Sequence, residues 1–236
     1  MGPLAKIHQE IVDVLKEKFT LDRVQLKHRL PVRPIRMLGL IGMDGEVYST
    51  NKLLRVTCLR ISPPVFMKVF STYMCARVEY DLPAFLCEVV YMGKNIMVIL
   101  NVHRTADVAE LERDKPFYDT LMDIRARYSD LLAFPLEAKG SLASFTDLDS
   151  RAACRLKITG AHEERALEMV KEYLDAYAEY VTRSLALEGD ALATARENLE
   201  RYLEKVEEED PGVKGNKIFF GKKEGVARAL DMFFGV

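Results

Sequence analysis

One carboxylate lies where the sequence predicts a buried strand. Glu88 stands inside the run Leu86–Val90, with Leu-Cys before it and Val-Val after it. A carboxylate among apolar residues is costly to ionise when it has no partner. Desolvation therefore raises its pKa, which makes a carboxylic acid a usable proton donor near neutral pH. Glu88 is the first candidate for a chemical role.

A purely structural interpretation of Glu88 stays open. The residue could face solvent at the edge of a sheet, or it could pair with an arginine, and such pairs often serve structure alone. Two small polar residues in the preceding predicted strands, Thr57 and Ser71, are equally ordinary by themselves. The arginines within reach of such a pairing are Arg55, Arg60 and Arg77.

The sequence lacks the motifs of the common cofactor and hydrolase sites. It contains no phosphate-binding loop, dinucleotide fingerprint, nucleophile elbow or HExxH helix. The four cysteines form no C-x-x-C pair and the four histidines are scattered, so we expect no metal site. Free cysteines suit a reducing compartment. Because no signal-peptide pattern opens the chain and no apolar stretch approaches the roughly 20 residues that span a bilayer, we expect a soluble, cytoplasmic protein.

Short β-rich runs follow an amphipathic helix in the first twenty residues. Turn residues at Asp44-Gly45 and Gly93–Asn95 join neighbouring runs, and connections this short favour antiparallel pairing. Several runs are apolar on both faces, which is typical of a sheet covered by helices on each side. We therefore expect an α/β fold, a three-layer α/β/α sandwich with a central, mostly antiparallel sheet. The predicted strands are Ile35–Ile41, Val47–Ser49, Leu53–Ile61, Val65–Val78, Ala84–Tyr91 and Ile96–Val102.

The helices that cover the sheet are expected mainly in the second half of the chain, where apolar residues recur at helical spacing. Asp190 is a candidate N-cap for one of them. Since no linker or repeat interrupts the pattern, we expect a single domain over residues 1–236. The predicted helices are Phe117–Leu132, Glu163–Leu187, one after Asp190, and Glu224–Phe234, with loops over Ala133–Ser150 and Glu207–Lys217.

The formal net charge of −2 conceals an uneven distribution of charge. Leu21–Tyr80 holds ten Lys and Arg against four Asp and Glu, whereas Glu163–Asp210 holds fifteen acids against six bases. The acidic excess is typical of solvated helix faces. The basic stretch is either another solvated surface or a surface for an acidic partner.

Three stretches of this chain resemble the ferredoxin-dependent bilin reductases. Leu54–Thr105 is similar to the central sheet of that family. Within it, Leu82–Val89 resembles a family strand that begins with Leu-Pro, continues with phenylalanine and reaches an aspartate followed by a hydrophobic residue. Cys154–Leu174 is similar to the family's strand, loop and long helix. Arg228–Gly235 resembles its C-terminal pattern of an arginine, a leucine and a Phe-Gly pair, with the leucine shifted by one residue.

This resemblance implies roles for individual residues. The family's catalytic aspartate falls on Glu88, which keeps the carboxylate. Its catalytic histidine and a second pocket histidine fall on Ser71 and Thr57, and neither replacement can relay protons as an imidazole does. A propionate-binding arginine falls near Lys157, which offers a point charge in place of a fork. The implied catalytic residues are Glu88 and Glu224, and the implied substrate-binding residues are Thr57, Ser71, Lys157 and Lys223.

The resemblance also implies an activity. Members of the family pass single electrons from reduced ferredoxin to a bound linear tetrapyrrole and add protons from pocket acids, with no metal and no bound cofactor. It thus predicts ferredoxin-dependent reduction of a biliverdin-like bilin, with Glu88 as the main proton donor. The basic stretch before Tyr80 would suit an acidic ferredoxin. We expect no nucleic-acid or membrane partner, and a monomer.

Two other functions stay open. One is an enzyme similar to red chlorophyll catabolite reductase, a relative in which glutamate serves in place of the His/Asp pair. The other is a tetrapyrrole-binding protein that has lost its chemistry together with its histidines.

Overall fold

The chain folds around one antiparallel sheet. A computed structural model describes residues 2–27, 30–32, 41–62, 67–104, 111–137 and 149–236. Within these residues seven strands lie side by side in chain order, and every neighbouring pair is antiparallel. The strands are β1 Asp22–Arg23, β2 Gly42–Ser49, β3 Leu53–Ser62, β4 Met67–Ala76, β5 Ala84–Met92, β6 Asn95–His103 and β7 Cys154–Thr159.

Helices lie on both sides of this sheet, as predicted. The N-terminal helix, the long helix that begins at Glu163 and the final helix are confirmed, although the long one ends at Arg183 rather than Leu187. The helices are α1 Ile7–Lys18, α2 Lys115–Arg127, α3 Glu163–Arg183, α4 Gly189–Glu209, α5 Pro211–Gly215, α6 Lys217–Phe220 and α7 Gly225–Phe234.

The two faces of the sheet differ in chemistry. One face is apolar and carries side chains such as Phe85, Val89 and Leu100, which join the stripes of α1, α2 and α3 in the largest core cluster. The opposite face packs against α4, α5 and α7 and contains tyrosines as well as aliphatic residues. Because successive strand residues point to opposite faces, a single strand supplies both surfaces. β5 is an example, since Phe85 and Val89 face the large core while Glu88 faces the second layer.

The pair Asp44-Gly45 does not form the predicted hairpin turn. Both residues lie inside β2, where they pair with Arg60 and Leu59 of β3. A Cβ atom on Gly45 would lie 2.2 Å from the carbonyl oxygen of Cys58. The glycine therefore permits a close approach of two strands, a role that a sequence pattern cannot distinguish from a turn. The turn at Gly93-Lys94, between β5 and β6, is confirmed.

Two further predictions in the C-terminal half are wrong. The helix α4 has Glu188 rather than Asp190 at its N-cap position. The predicted polar loop over Glu207–Lys217 is largely helical, because Asp210 accepts hydrogen bonds from two backbone N–H groups and starts α5. Most of the predicted strand over Ile35–Ile41, the first two residues of the predicted Val65–Val78 strand and most of the predicted loop over Ala133–Ser150 lie outside the described residues.

A buried ion-pair cluster holds the end of β6, directly after His103. Arg104 donates to Asp81 Oδ2 at 2.6 Å and also pairs with Asp114, and its side chain is only 2 % exposed. Asp114 is fully buried and accepts a further hydrogen bond from Tyr180 of α3. The cluster thus joins β6, the segment before β5 and the start of α2 to α3.

We expect Arg104→Met to lower the free energy of unfolding by about 3–5 kcal/mol, because it removes the buried cation of Asp81 and Asp114 and leaves them only the exposed Arg113. The matched control is Arg60→Met, which breaks an exposed pair with Asp44 and should cost about 1 kcal/mol or less. Urea denaturation of both variants measures the difference. Equal losses of unfolding free energy in the two variants would show that the buried Arg104 cluster stabilises the fold no more than an exposed ion pair does.

Candidate active site

A row of polar and apolar side chains crosses the second face of the sheet. Ser71 of β4 pairs with Glu88 of β5, Glu88 pairs with Ile99 of β6, and Ile99 pairs with Arg155 of β7. Directly paired residues point to the same face of a sheet. The strand register therefore brings four residues that are far apart in sequence into one line.

A cavity lies over this row, between the sheet and the C-terminal helices. Its volume is about 120 Å³, and it is partly open to solvent. Small-molecule sites have mostly apolar walls with a few polar groups, and this cavity has a lining of that kind. The sheet residues that line the cavity are Ser71, Tyr73, Leu86, Glu88, Ile99 and Arg155, and the covering residues are Asp210, Gly212, Val213, Phe233 and Phe234.

Glu88 is the carboxyl group in the floor of this cavity. Burial raises its pKa, and the nearby negative charge of Asp210 raises it further. The hydroxyl of Ser71 donates to Glu88 Oε1 at 3.1 Å, and this bond and the charge of Arg155 act in the opposite direction. The net result is a carboxylic acid that keeps its proton closer to neutral pH than an exposed glutamate does.

The arginines that offered a structural explanation for Glu88 have other partners. Arg55 donates to the backbone of Asp231, Arg60 pairs with Asp44, and Arg77 donates to the carbonyl of Thr50. Among the described residues, the polar contacts of Glu88 thus come from Ser71 and the cavity.

Asp210 is a second carboxyl group at the cavity, on the side of the covering helices. It accepts hydrogen bonds from Gly212 N at 2.6 Å and Val213 N at 3.2 Å, which start α5. Burial raises its pKa, against the opposing effect of these N–H groups and of Lys214. Sequence reasoning missed this residue because Asp-Pro-Gly is a common helix-start and turn signal, and nothing in it indicates what the cap faces.

Arg155 supplies the positive charge in the cavity wall. Its guanidinium donates two hydrogen bonds to Asp149, at 2.6 Å and 2.7 Å. This bidentate pair fixes the plane of the guanidinium, and its charge lowers the pKa of both Glu88 and His103.

A buried histidine lies on the same face as Glu88. His103 is 2 % exposed, and burial, together with the charge of Arg155, lowers its pKa to about 4. Its Nε2 atom lies 2.8 Å from the hydroxyl of Tyr202, which lies 2.8 Å from the hydroxyl of Tyr73 in the cavity wall. Sequence reasoning set His103 aside as one of four scattered histidines. Alternation along β6 from Ile99 would have placed it on this face once the register was known.

The remaining predicted site residues lie elsewhere. Thr57 is fully buried and donates to the carbonyl of Met232 at 2.6 Å, so it fastens α7 to the sheet. Lys157 is exposed on β7, two residues beyond Arg155 and outside the cavity lining. Glu224 is exposed and accepts from Arg228 Nε at 2.7 Å, and Lys223 beside it is exposed as well. The structure therefore brings Glu88 and Ser71 together in the cavity but not the other four predicted residues.

Within the described residues, no group of three or more His, Cys, Asp or Glu side chains could hold a metal ion. None of the helices in the described part of the chain is long and apolar enough to cross a membrane.

Comparison with known proteins places the chain in a family. The sequence model of the family "Ferredoxin-dependent bilin reductase" matches residues 8–225. The chain is 25% identical over 188 residues to the phycoerythrobilin:ferredoxin oxidoreductase of Gloeobacter violaceus, which is 75% of this chain and 72% of that protein. The fold matches the crystal structure of tomato phytochromobilin synthase in complex with biliverdin, with a TM-score of 0.81 and 20% identity over 99% of this chain and 84% of that one. The chain therefore belongs to the family of ferredoxin-dependent bilin reductases, enzymes whose electron donor is reduced ferredoxin.

Proposed function

We propose that this chain reduces a biliverdin-like linear tetrapyrrole in the cavity between the sheet and the C-terminal helices, with Glu88 as the main proton donor. The observation that carries the proposal is a carboxyl group with a raised pKa in the floor of a cavity whose walls are mostly apolar. The substrate class follows from the relatives, since one is named for phycoerythrobilin and another was solved with biliverdin.

The reaction adds two electrons and two protons for each double bond that is reduced. Reduced ferredoxin supplies the electrons one at a time, and each electron accepted by the tetrapyrrole makes it more basic. Glu88 then transfers the proton of its carboxyl group to the reduced substrate. Ser71 holds the carboxyl through Oε1, and the second oxygen, which has no hydrogen-bond partner among the described residues, can face the ligand.

Asp210 is proposed as the second acid. It faces the cavity from the covering helices, while Glu88 faces it from the sheet. A bound, planar tetrapyrrole would therefore have a carboxyl group on each side. Because like charges in one cavity disfavour double ionisation, the charge of Asp210 raises the pKa of Glu88 and favours retention of its proton.

Lys157 is proposed to bind a propionate group at the rim of the cavity. It lies on the same face of β7 as Arg155, since the two residues are two positions apart on one strand. Its exposed ammonium suits a carboxylate that remains partly solvated, whereas Arg155 is held by Asp149.

The basic stretch before Tyr80 gives limited support for the docking of ferredoxin. At least five of its described cations are engaged in internal contacts. Lys52 donates to two carbonyls of the α3 C-terminus and Arg77 donates to the carbonyl of Thr50, while Arg23, Arg55 and Arg60 pair with Glu46, Asp231 and Asp44. We further propose that the protein acts as a monomer in the cytoplasm. The compartment is supported by four free, buried cysteines, which are typical of reducing conditions.

We expect Glu88→Gln to retain biliverdin binding and to slow turnover by roughly 10²-fold or more, because the amide has the shape of the acid but no proton to donate. Absorption titration with biliverdin measures binding, and anaerobic addition of reduced ferredoxin measures turnover. The matched control is Glu46→Gln, which changes an exposed glutamate on β2. Unchanged turnover in Glu88→Gln would remove Glu88 from this role, and binding without turnover in the wild type would favour a carrier protein.

The pH dependence of the free energy of unfolding should also reveal the raised pKa of Glu88. Because its folded-state pKa is raised, its contribution to stability is complete below the ordinary carboxyl pKa and is lost as the pH rises through the folded value. Glu88→Gln should therefore stabilise the fold more at about pH 8 than at about pH 5. Urea denaturation at both pH values measures this. A pH-independent effect would contradict the raised pKa.

We expect Lys157→Ala to weaken binding of biliverdin by up to about fivefold, the value of one exposed ion pair, and to spare binding of biliverdin dimethyl ester. The control is Lys94→Ala, which removes an exposed lysine at the turn between β5 and β6. Equal weakening for both ligands would argue against a propionate contact.

A further inference from the structure

Four side chains behind the cavity form a continuous chain of hydrogen-bonding groups. It runs from Asn101 through His103 and Tyr202 to Tyr73, which lines the cavity. Its members come from β6, α4 and β4, so it crosses from the sheet to the covering layer and back.

The direction of the hydrogen bonds in this chain follows from Asn101. The backbone N–H of Ser150 donates to Asn101 Oδ1 at 3.1 Å, and that contact requires the amide oxygen there. The amide nitrogen is then a donor only, and it donates to Asp149 Oδ1 at 3.2 Å and to His103 Nδ1 at 3.4 Å. The Nδ1 atom of His103 is therefore an acceptor.

A neutral imidazole that accepts at Nδ1 carries its hydrogen on Nε2. The lowered pKa of His103, about 4, agrees with a neutral ring at pH 7. His103 Nε2 then donates to the oxygen of Tyr202 at 2.8 Å. Tyr73 lines the cavity and Tyr202 has no other acceptor among the described residues, so the arrangement that leaves no hydrogen unpaired behind the cavity is the one in which Tyr202 donates to the oxygen of Tyr73 at 2.8 Å. The hydroxyl hydrogen of Tyr73 is left at the end of the chain, with no acceptor among the described residues.

The ring of Tyr73 is fixed in the cavity wall. It makes edge contacts with Phe233 and Phe234, with ring centroids 5.9 Å and 5.1 Å away. It lies two residues beyond Ser71 on β4 and therefore on the same face as the Ser71–Glu88 pair. A buried hydroxyl whose hydrogen has no partner is suited to a ligand that brings an acceptor.

We propose that Tyr73 donates a hydrogen bond of fixed direction to a carbonyl oxygen of the bound tetrapyrrole, such as that of a terminal lactam ring, and that Asn101, His103 and Tyr202 set this direction. The inference rests on the proposed function and deepens it. The bond determines which part of the substrate lies next to Glu88, and thereby which double bond receives the proton.

The hydrogen-bond chain from Asn101 to Tyr73 orients a donor but does not supply protons. A proton lost from Tyr73 would be replaced from Tyr202 and then from His103, whose Nδ1 faces an amide that does not release a proton. The reducing protons remain the task of Glu88 and Asp210. Tyr73 is thus a substrate-binding residue, and His103 and Tyr202 are positioning residues.

The test uses biliverdin bound to the full chain, with resonance Raman spectroscopy of its lactam carbonyl groups. We expect Tyr73→Phe to weaken binding by about three- to tenfold, the value of one uncharged hydrogen bond, and to shift one carbonyl band to higher frequency. Tyr91→Phe is the control, because Tyr91 binds Glu163 on the other side of the sheet. An unchanged carbonyl band in Tyr73→Phe overturns the inference and leaves the proposed function intact.

The direction of the hydrogen bonds between His103, Tyr202 and Tyr73 is tested by a matched pair of variants. His103→Leu removes the donor to Tyr202, so Tyr73 can turn its hydrogen towards Tyr202, and the carbonyl shift of Tyr73→Phe should recur. His103→Gln keeps a side-chain N–H donor and should retain the wild-type band. The inference would be overturned if His103→Leu retained the wild-type carbonyl band and His103→Gln shifted it.

A measurement without ligand separates the two proposals. Nitrogen NMR of the wild-type protein at pH 7 should show His103 as a neutral ring with hydrogen on Nε2. Hydrogen on Nδ1 would overturn the direction of the chain, whatever the protein binds. If the wild type fails to bind biliverdin while His103 carries its hydrogen on Nε2, the proposed substrate is wrong and with it the carbonyl partner of Tyr73.

Discussion

The register between β4 and β5 is the constraint on which the candidate site depends. It places Ser71 opposite Glu88, and the continued pairing through β6 and β7 adds Ile99 and Arg155 to the same row. A shift by one residue would turn Glu88 into the large apolar core and bring Cys87 or Val89 to the cavity. The cost of a charged group in that core opposes such a shift, so the carboxylate helps to specify the register that it needs.

Desolvation raises the pKa of Glu88, and the C-terminal helices provide that desolvation. Helix α7 is held over the sheet by two contacts from β3: Thr57 donates to the carbonyl of Met232, and Arg55 donates to the carbonyl of Asp231. The same layer brings Asp210 to the cavity. Since burial and the charge of Asp210 both raise the pKa of Glu88, any change that loosened this layer would lower that pKa towards its value in water.

The two faces of the sheet differ in packing and polarity. The face towards α1, α2 and α3 is packed with aliphatic and aromatic side chains and forms the larger core. The opposite face holds carboxyl groups, an arginine, a histidine and two tyrosines around a cavity. This arrangement costs free energy. The first face and the Arg104 cluster stabilise the same strands and so offset that cost. His103 lies next to Arg104 in the chain, so the buried ion pairs also fix the end of the strand that carries the histidine.

The sequence by itself determined the class of the fold, most of its strands and the unusual position of Glu88. These features are local: the alternation of side chains, the short turns and a single carboxylate in an apolar run are all visible within a few residues. The resemblance to the family added Ser71, which lies beside Glu88 as the carried-over positions imply. The resemblance predicted Lys223 and Glu224 as site residues from a weak C-terminal sequence pattern. Both lie on the surface, outside the cavity lining.

Only the tertiary structure decided what surrounds Glu88. Asp210 is 122 positions away in the sequence, and its Asp-Pro-Gly context indicates a helix start and nothing about the partner across the cavity. His103 and Tyr202 meet through packing of α4 on the sheet. The family resemblance implied a substrate-binding role for Thr57, but its hydroxyl donates a hydrogen bond to the carbonyl of Met232. The physical reason is the same in each case: a pKa, a hydrogen-bond direction or a free donor depends on neighbours in space, and those neighbours are set by register and layer packing rather than by local pattern.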